Sequence, residues 1–194
     1  MEPHDEKRTM NGTILANRSS TTRGNTDFYP TPSECTQALL NFLQIPKNAT
    51  IWEPACGKGH IANVLNANGY KTVSTDLYDY GGLDGVEDFL NSPCRECDWI
   101  ITNPPFSQAE PFIEKCLEHK KPFALLLKSQ YWHSKRRYEL FIQHKPQYVL
   151  PLTWRPDFEF GKRGGSPTME CLWTVWGATP ANATIYIPLK KEAK

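Results

Sequence analysis

The chain has 194 residues, enough to bury one substantial core, so a single folded domain is expected. Its 22 Lys and Arg stand against 21 Asp and Glu, which excludes a global field selecting a polyanion or a membrane and leaves only local charged faces. No apolar run approaches the roughly 18 residues of a membrane span and no apolar core of signal-peptide length opens the chain, so a soluble cytoplasmic protein without a membrane partner is expected.

Residues 1–26 are polar, mixed in charge and without period, and read as a mobile arm ahead of a single domain over 27–194. From "FYPTP" onward apolar segments alternate with turn residues. "SECTQALLNFL" reads as a helix capped by Ser33, "ATIWEPA" as a strand entering a glycine loop, and "HIANVLNANG" as a helix stopped by Gly69. "YKTVSTDL" is a second strand, a short third lies near "GGLDGVEDFL", and "CDWIIT" is the fourth. The helix "AEPFIEKCLEHK" leads to the strand "PFALLLK", the helix "SKRRYELFIQH" follows, and "QYVLPL" and "MECLWTVWG" are two last strands with no helix between them. The alternation implies a Rossmann-like, doubly wound α/β fold: a mostly parallel seven-stranded sheet with an antiparallel final strand. Six scattered cysteines read as reduced thiols. Cys94 and Cys97 form a CxxC with no second ligand pair at finger-like spacing, so no metal is expected.

"IWEPACGKGHIA" sets Gly57, Gly59 and Ala62 in a GxGxxA spacing between a strand and a helix, where glycines let the backbone turn tightly and approach a ligand at the helix N-terminus. Asp76, at the end of the second strand and nineteen residues after Gly57, is placed to accept hydrogen bonds from ribose hydroxyls. Together they indicate an adenosine-containing cofactor. A nicotinamide dinucleotide would use the same geometry, but Glu53 and Pro54 put a carboxylate ahead of the loop, which suits a sulfonium and an amino group better than a pyrophosphate.

The fourth strand exits into Asn103-Pro104-Pro105-Phe106, at the carboxyl edge where ligands of open α/β sheets bind. Asn103 and Pro104 each precede a proline and are pushed towards extended geometry, while both prolines have φ fixed. This rigid turn offers the Asn103 side-chain oxygen and the Pro104 carbonyl as two acceptors for a planar NH2 group. Bonds from both N–H groups favour pyramidalisation and free the nitrogen lone pair for attack on an electrophilic methyl. Phe106 can stack on the ring that carries the amine, a contact worth about 1–3 kcal/mol.

With NPPF after a strand and EPACGKG upstream, residues 27 to about 177 resemble the class I S-adenosylmethionine-dependent amino methyltransferases, specifically the phage-type DNA N-6-adenine methyltransferases. The resemblance implies S-adenosyl-L-methionine as cofactor, DNA as partner in preference to RNA, a bacterial cell or phage-infected host, and adenine N6 as target. It further implies that Phe28, Tyr29 and Thr31 lie near the methionine end, Glu53, Ala55, Gly57 and Gly59 in the first cofactor loop, Asp76 and Leu77 at ribose and adenine, and Asp88 with Phe89 at the adenine pocket. Asn103 would touch cofactor as well as substrate. Asp84 and Glu87 stand beside Asp88 as alternatives. Only "TWRPDFEFGKRGGSPT" is long enough for target recognition, so a compact surface, or one supplied by a second copy or a partner subunit, is implied.

Segment 128–163 holds eight basic residues (Lys128, Lys135, Arg136, Arg137, Lys145, Arg155, Lys162, Arg163) against three acids, a local excess that attracts a phosphate backbone. An ordinary solvated face would have the same composition. Tyr131 and Trp132 could stack on bases or fill the gap left by a flipped one, or belong to the core. The alternatives to DNA adenine methylation are the same chemistry on RNA or on a protein glutamine amide, a non-catalytic protein on the same scaffold, and a nicotinamide-dependent oxidoreductase, which leaves NPPF unexplained.

Overall fold

The computed structural model describes residues 29–161, 166–179 and 181–191; the N-terminal arm, Phe28, Lys162 and Arg163 lie outside them. Short apolar runs build the sheet: β1 (Thr50–Glu53), β2 (Lys71–Asp76), β3 (Gly85–Val86), β4 (Trp99–Thr102), β5 (Phe123–Lys128), β6 (Tyr148–Pro151), β7 (Cys171–Trp176) and β8 (Ile185–Tyr186). Their spatial order is β3-β2-β1-β4-β5-β7-β6-β8. β3, β2, β1, β4 and β5 pair in parallel, and β7 runs antiparallel to both β5 and β6. This is the doubly wound mixed sheet expected from the alternating pattern. The seven expected strands are joined by an eighth, β8, parallel to β6. Ile185 and Tyr186 are both exposed, so the apolar-run signal of a buried strand is missing there.

Successive residues of the inner strands alternate between two cores. Ile51, Ile101, Ala124, Leu126 and Trp173 face one, with Leu39 of α1 (Ser33–Phe42) and Ile61 and Leu65 of α2 (His60–Ala67). Trp52, Ile100, Phe123, Leu125, Leu127 and Leu172 face the other, with Phe112, Ile113 and Cys116 of α3 (Ala109–His119). Strands buried on both faces read as continuous apolar runs, which is why "WIIT" and "FALLLK" are so legible. α4 (Tyr138–Gln143) is shorter than expected, because Lys135–Arg137 form a separate 3-10 turn before it.

Ser33 is not the cap of α1. The cap position is Pro32, whose carbonyl accepts the Cys35 N–H at 3.0 Å, and Ser33 is the first helical residue. All six cysteines are free thiols. No helix among the described residues is long and apolar enough to cross a membrane.

Candidate active site

At the carboxyl end of β1 the fully buried Glu53 carboxyl accepts the Ala62 N–H at 2.7 Å through Oε2, serving one of the unsatisfied donors in the first turn of α2. The intervening loop is folded by Gly57 (φ 51°) and Gly59 (φ 75°), both left-handed, a region where a side chain is strained. Asp76 at the end of β2 ties this loop down: Oδ2 accepts the Gly57 N–H at 2.8 Å and Oδ1 the Tyr78 N–H at 3.0 Å. A carboxylate has about four lone-pair sites, so Asp76 keeps acceptor capacity towards a ribose.

A cleft of about 400 Å³ opens above these elements, within the range of small-molecule sites. Among the expected cofactor residues, Tyr29, Thr31, Glu53, Ala55, Asp76, Leu77, Asp88, Phe89 and Asn103 line it, with Pro105. Gly57 and Gly59 shape the loop rather than the wall. Of the three neighbouring acids only Asp88 reaches the cleft; Asp84 Oδ2 accepts the Ser74 N–H and Glu87 pairs with Arg95 at 2.9 Å. Phe89 is 2 % exposed, packed edge-on to Trp52 and against Phe112, so it offers the cleft only a small part of its ring.

The cleft is acidic. Glu53, Asp76 and Asp88 line it with no Lys or Arg among the described residues. Burial pushes the Glu53 carboxyl well above its ordinary range, the Asp76 charge adds to that, and the Ala62 bond opposes it. Burial, with the charges of Glu53 and Asp76, pushes the Cys56 thiol up to about 12, so it stays protonated and is no nucleophile. Burial also lowers His60, with help from Lys58, so its ring is held neutral. A cation entering here compensates buried carboxylates, whereas a pyrophosphate finds no positive partner. The residues therefore fit a sulfonium-bearing adenosyl cofactor.

Asn103, leaving β4, is held through its amide nitrogen: Nδ2 donates to the Tyr29 carbonyl at 3.1 Å and to Thr31 Oγ1 at 3.0 Å. Its Oδ1 is buried without a hydrogen-bond partner. Pro104 is buried behind it, and the Pro105 carbonyl accepts the Gln108 N–H at 2.8 Å, fixing the turn. Phe106 lies against Tyr29 (ring centroids 4.9 Å) and Phe158 (6.3 Å), with Lys128 Nζ 4.4 Å from its ring centroid.

On the other side of Phe106 is a second cavity of about 370 Å³, and it gathers Lys128, Tyr131, Arg136 and Arg137. The other described substrate candidates, Trp132, Lys135 and Arg155, do not line it. Lys135 and Trp132 border a hollow beside Tyr138 and Ile142, with Trp132 stacked on Phe141 at 4.1 Å, and Arg155 pairs with Glu170 at 2.7 Å. Sequence reasoning missed Tyr78, Tyr80, Gln108 and Phe112 in the cleft and Phe158 against Phe106. Phe158 stands in "RPDFEFG", inside the one stretch long enough for recognition, but nothing local shows which aromatic turns inward.

No family model matches the sequence, and no curated protein matches it. Solved structures do match in fold. A protein assigned as an RNA methyltransferase from Pyrococcus horikoshii superposes with a TM-score of 0.64 at 14% identity, covering 85% of this chain and 94% of that one. A modification subunit assigned to a type I restriction enzyme from Vibrio vulnificus gives 0.59 at 14% identity over 91% of this chain and 50% of that one. A protein assigned as a class I S-adenosylmethionine-dependent methyltransferase from Listeria monocytogenes gives 0.57 at 13% identity over 87% and 68%. The chain has the fold that these proteins share.

Proposed function

We propose that the protein transfers the methyl group of S-adenosylmethionine to the exocyclic N6 amine of adenine in DNA. The observation that carries this reading is Asn103: its nitrogen is clamped by Tyr29 and Thr31, so its oxygen is a fixed, unpartnered acceptor at the edge of the acidic cleft. An acceptor oriented before substrate arrives costs no reorganisation when the amine pyramidalises. S-adenosylmethionine, when bound, supplies an electrophilic methyl on a cationic sulfur. Asp76 gives that cation a negative environment, the cation in turn favours the ionised form of Glu53, and Asp76 and Asp88 are the acceptors available to ribose and adenine hydrogens. The Asn103 oxygen and the Pro104 carbonyl draw on the two amine hydrogens, and Phe106 offers its face to the base. The proton leaves after alkylation, when the nitrogen is acidic, so no general base is needed.

A dinucleotide-dependent oxidoreductase is disfavoured by a cleft lined by three carboxyl groups, a neutral His60 and no Lys or Arg among the described residues. The DNA and adenine assignments rest on the NPPF resemblance and on the basic side of the molecule.

The test is tritium transfer from labelled S-adenosylmethionine to unmethylated duplex DNA, single-stranded DNA and total RNA in parallel. Label in adenine of a DNA sample is expected. Label in RNA alone would move the substrate class, and none in any nucleic acid, with cofactor binding intact, would move it to a protein amide.

A further inference from the structure

Phe106 separates two cavities of opposite character. Asn103 and Pro105 line the acidic cleft, Phe106 lines the second cavity, and Ser107 borders both, so the two are neighbours across a single turn. The second cavity carries Lys128, Arg136 and Arg137 against one acid, Glu110, above an apolar floor of Leu127 and Pro111. The cations are held loosely enough to change partner. Arg136 Nε meets Glu110 Oε1 at 3.3 Å with its side chain 77% exposed, a pair of small value in water. Arg137 is set more firmly: Nε donates to the Tyr131 carbonyl at 2.7 Å and the guanidinium lies 4.0 Å over the Tyr131 ring. That posture fixes a planar fork whose other N–H groups suit an oxyanion. Tyr131 itself lines this cavity, and its Oη is buried without a hydrogen-bond partner.

We propose that this second cavity is a phosphate subsite, in which Lys128, Arg136 and Arg137 receive the phosphodiester next to the flipped target nucleotide. The inference rests on the nucleic-acid reading above and deepens it. A base stacked on Phe106 with its amine at Asn103 leaves its backbone to run past this turn, where an anion meets the only basic cavity bordering the site among those described. The subsite contributes register rather than sequence, since a phosphate carries no base identity.

Two arms test it. In the first, a fluorescein-labelled single-stranded oligodeoxynucleotide without adenine, and its ribonucleotide counterpart, are titrated by anisotropy over a salt series. The wild type is compared with Arg136→Gln, Arg137→Gln and, as a charge-matched control, Lys71→Gln at an exposed lysine that lines neither cavity. Each arginine variant is expected to weaken binding about 3- to 10-fold and to reduce the slope of log K against log salt by about 0.7. Lys71→Gln is expected to leave both unchanged. Arg136 is exposed, so its variant carries the arm if loss of the Arg137 bond to Tyr131 unfolds the chain. In the second arm, adenine substrates carry one neutral methylphosphonate linkage moved along the backbone. One linkage beside the target is expected to raise KM about 3- to 10-fold with little change in kcat, and Arg136→Gln is expected to cost nothing further on that substrate. Unchanged salt slopes in the arginine variants, a flat methylphosphonate scan, or the same arginine dependence with polyglutamate in place of the oligonucleotide would overturn the subsite. Arginine-dependent binding without methyl transfer to any substrate would overturn the methylation reading and leave the subsite standing.

Discussion

The two cavities that meet at Phe106 are made of the same materials, a strand end and the turn after it, yet they differ in charge and in how that charge is held. Around β1 and β2 the carboxyl groups are buried and already bonded to backbone N–H groups of the glycine loop and the first turn of α2, with no Lys or Arg lining the cleft among the described residues. Around β5 the basic groups are half-buried or exposed, paired through long side chains or laid over rings. Fixed buried charge selects one small ligand of opposite sign, because an uncompensated carboxylate in low dielectric is costly. Basic side chains near the surface attract a phosphate backbone without reading its bases. On the function proposed above, the contrast assigns the cofactor to one half of the site and the nucleic acid to the other.

Substitutions that touch one half only should break this division, and their sizes should follow burial. The largest effect is expected at the boundary. Asn103→Ala removes the fixed acceptor and should lower kcat by about 100-fold or more, the scale seen when one preorganised polar group at a reacting centre is removed. Because the same amide holds Tyr29 and Thr31, cofactor affinity should fall as well, by a much smaller factor in calorimetry. Wild-type turnover would show that the acceptors lie elsewhere. Asp76→Ala loses acceptors for ribose and also releases the Gly57 and Tyr78 N–H groups. Cofactor affinity should drop about 10- to 100-fold, the worth of one or two hydrogen bonds to a charged group, with nucleic-acid binding unchanged.

Glu53→Gln separates stability from function. Since burial raises the Glu53 carboxyl, the stability linked to its protonated form is full below about 4.5 and is lost as pH rises through the raised value. The variant keeps an oxygen for the Ala62 N–H but has no charge to bury. Without cofactor it should melt higher than wild type at neutral pH, by about 2–4 °C per kcal/mol recovered, and that gap should close towards pH 4. With cofactor it should bind more weakly. A melting difference independent of pH would show that the carboxyl is ionised and compensated in the free protein. The smallest effect is expected at Lys128→Met. Losing this one phosphate-attracting cation, held over the Phe106 ring, should lower nucleic-acid affinity by a few-fold and cofactor affinity not at all.

What the sequence made legible were the features whose cause is local. Gly57 and Gly59 needed left-handed backbone, Trp99–Thr102 could only be a strand buried on both faces, and NPPF announced a rigid turn. What it hid depends on contacts between distant residues. The clamp from Asn103 to Tyr29 and Thr31 spans more than seventy residues, and no local pattern reveals that the amide is oriented through its nitrogen. The sequence pointed to Asp76 as a candidate ribose acceptor, the role proposed for it above, and gave no sign that it braces the glycine loop. The basic excess over 128–163 was visible as composition, yet only the fold sorts Lys128, Arg136 and Arg137 beside Phe106 and sends Arg155 to Glu170. Ser33 looked like a cap and β8 left no trace, because a proline before a helix and a two-residue exposed strand carry little local signal.

The most direct test of the division between the halves is a calorimetric titration of the wild-type protein with S-adenosylmethionine and, separately, with a nicotinamide dinucleotide. An acidic cleft predicts saturable one-site binding of the cationic cofactor, weakened by Asp76→Ala, and no binding of the dinucleotide. Dinucleotide binding, or no heat with S-adenosylmethionine, would contradict it.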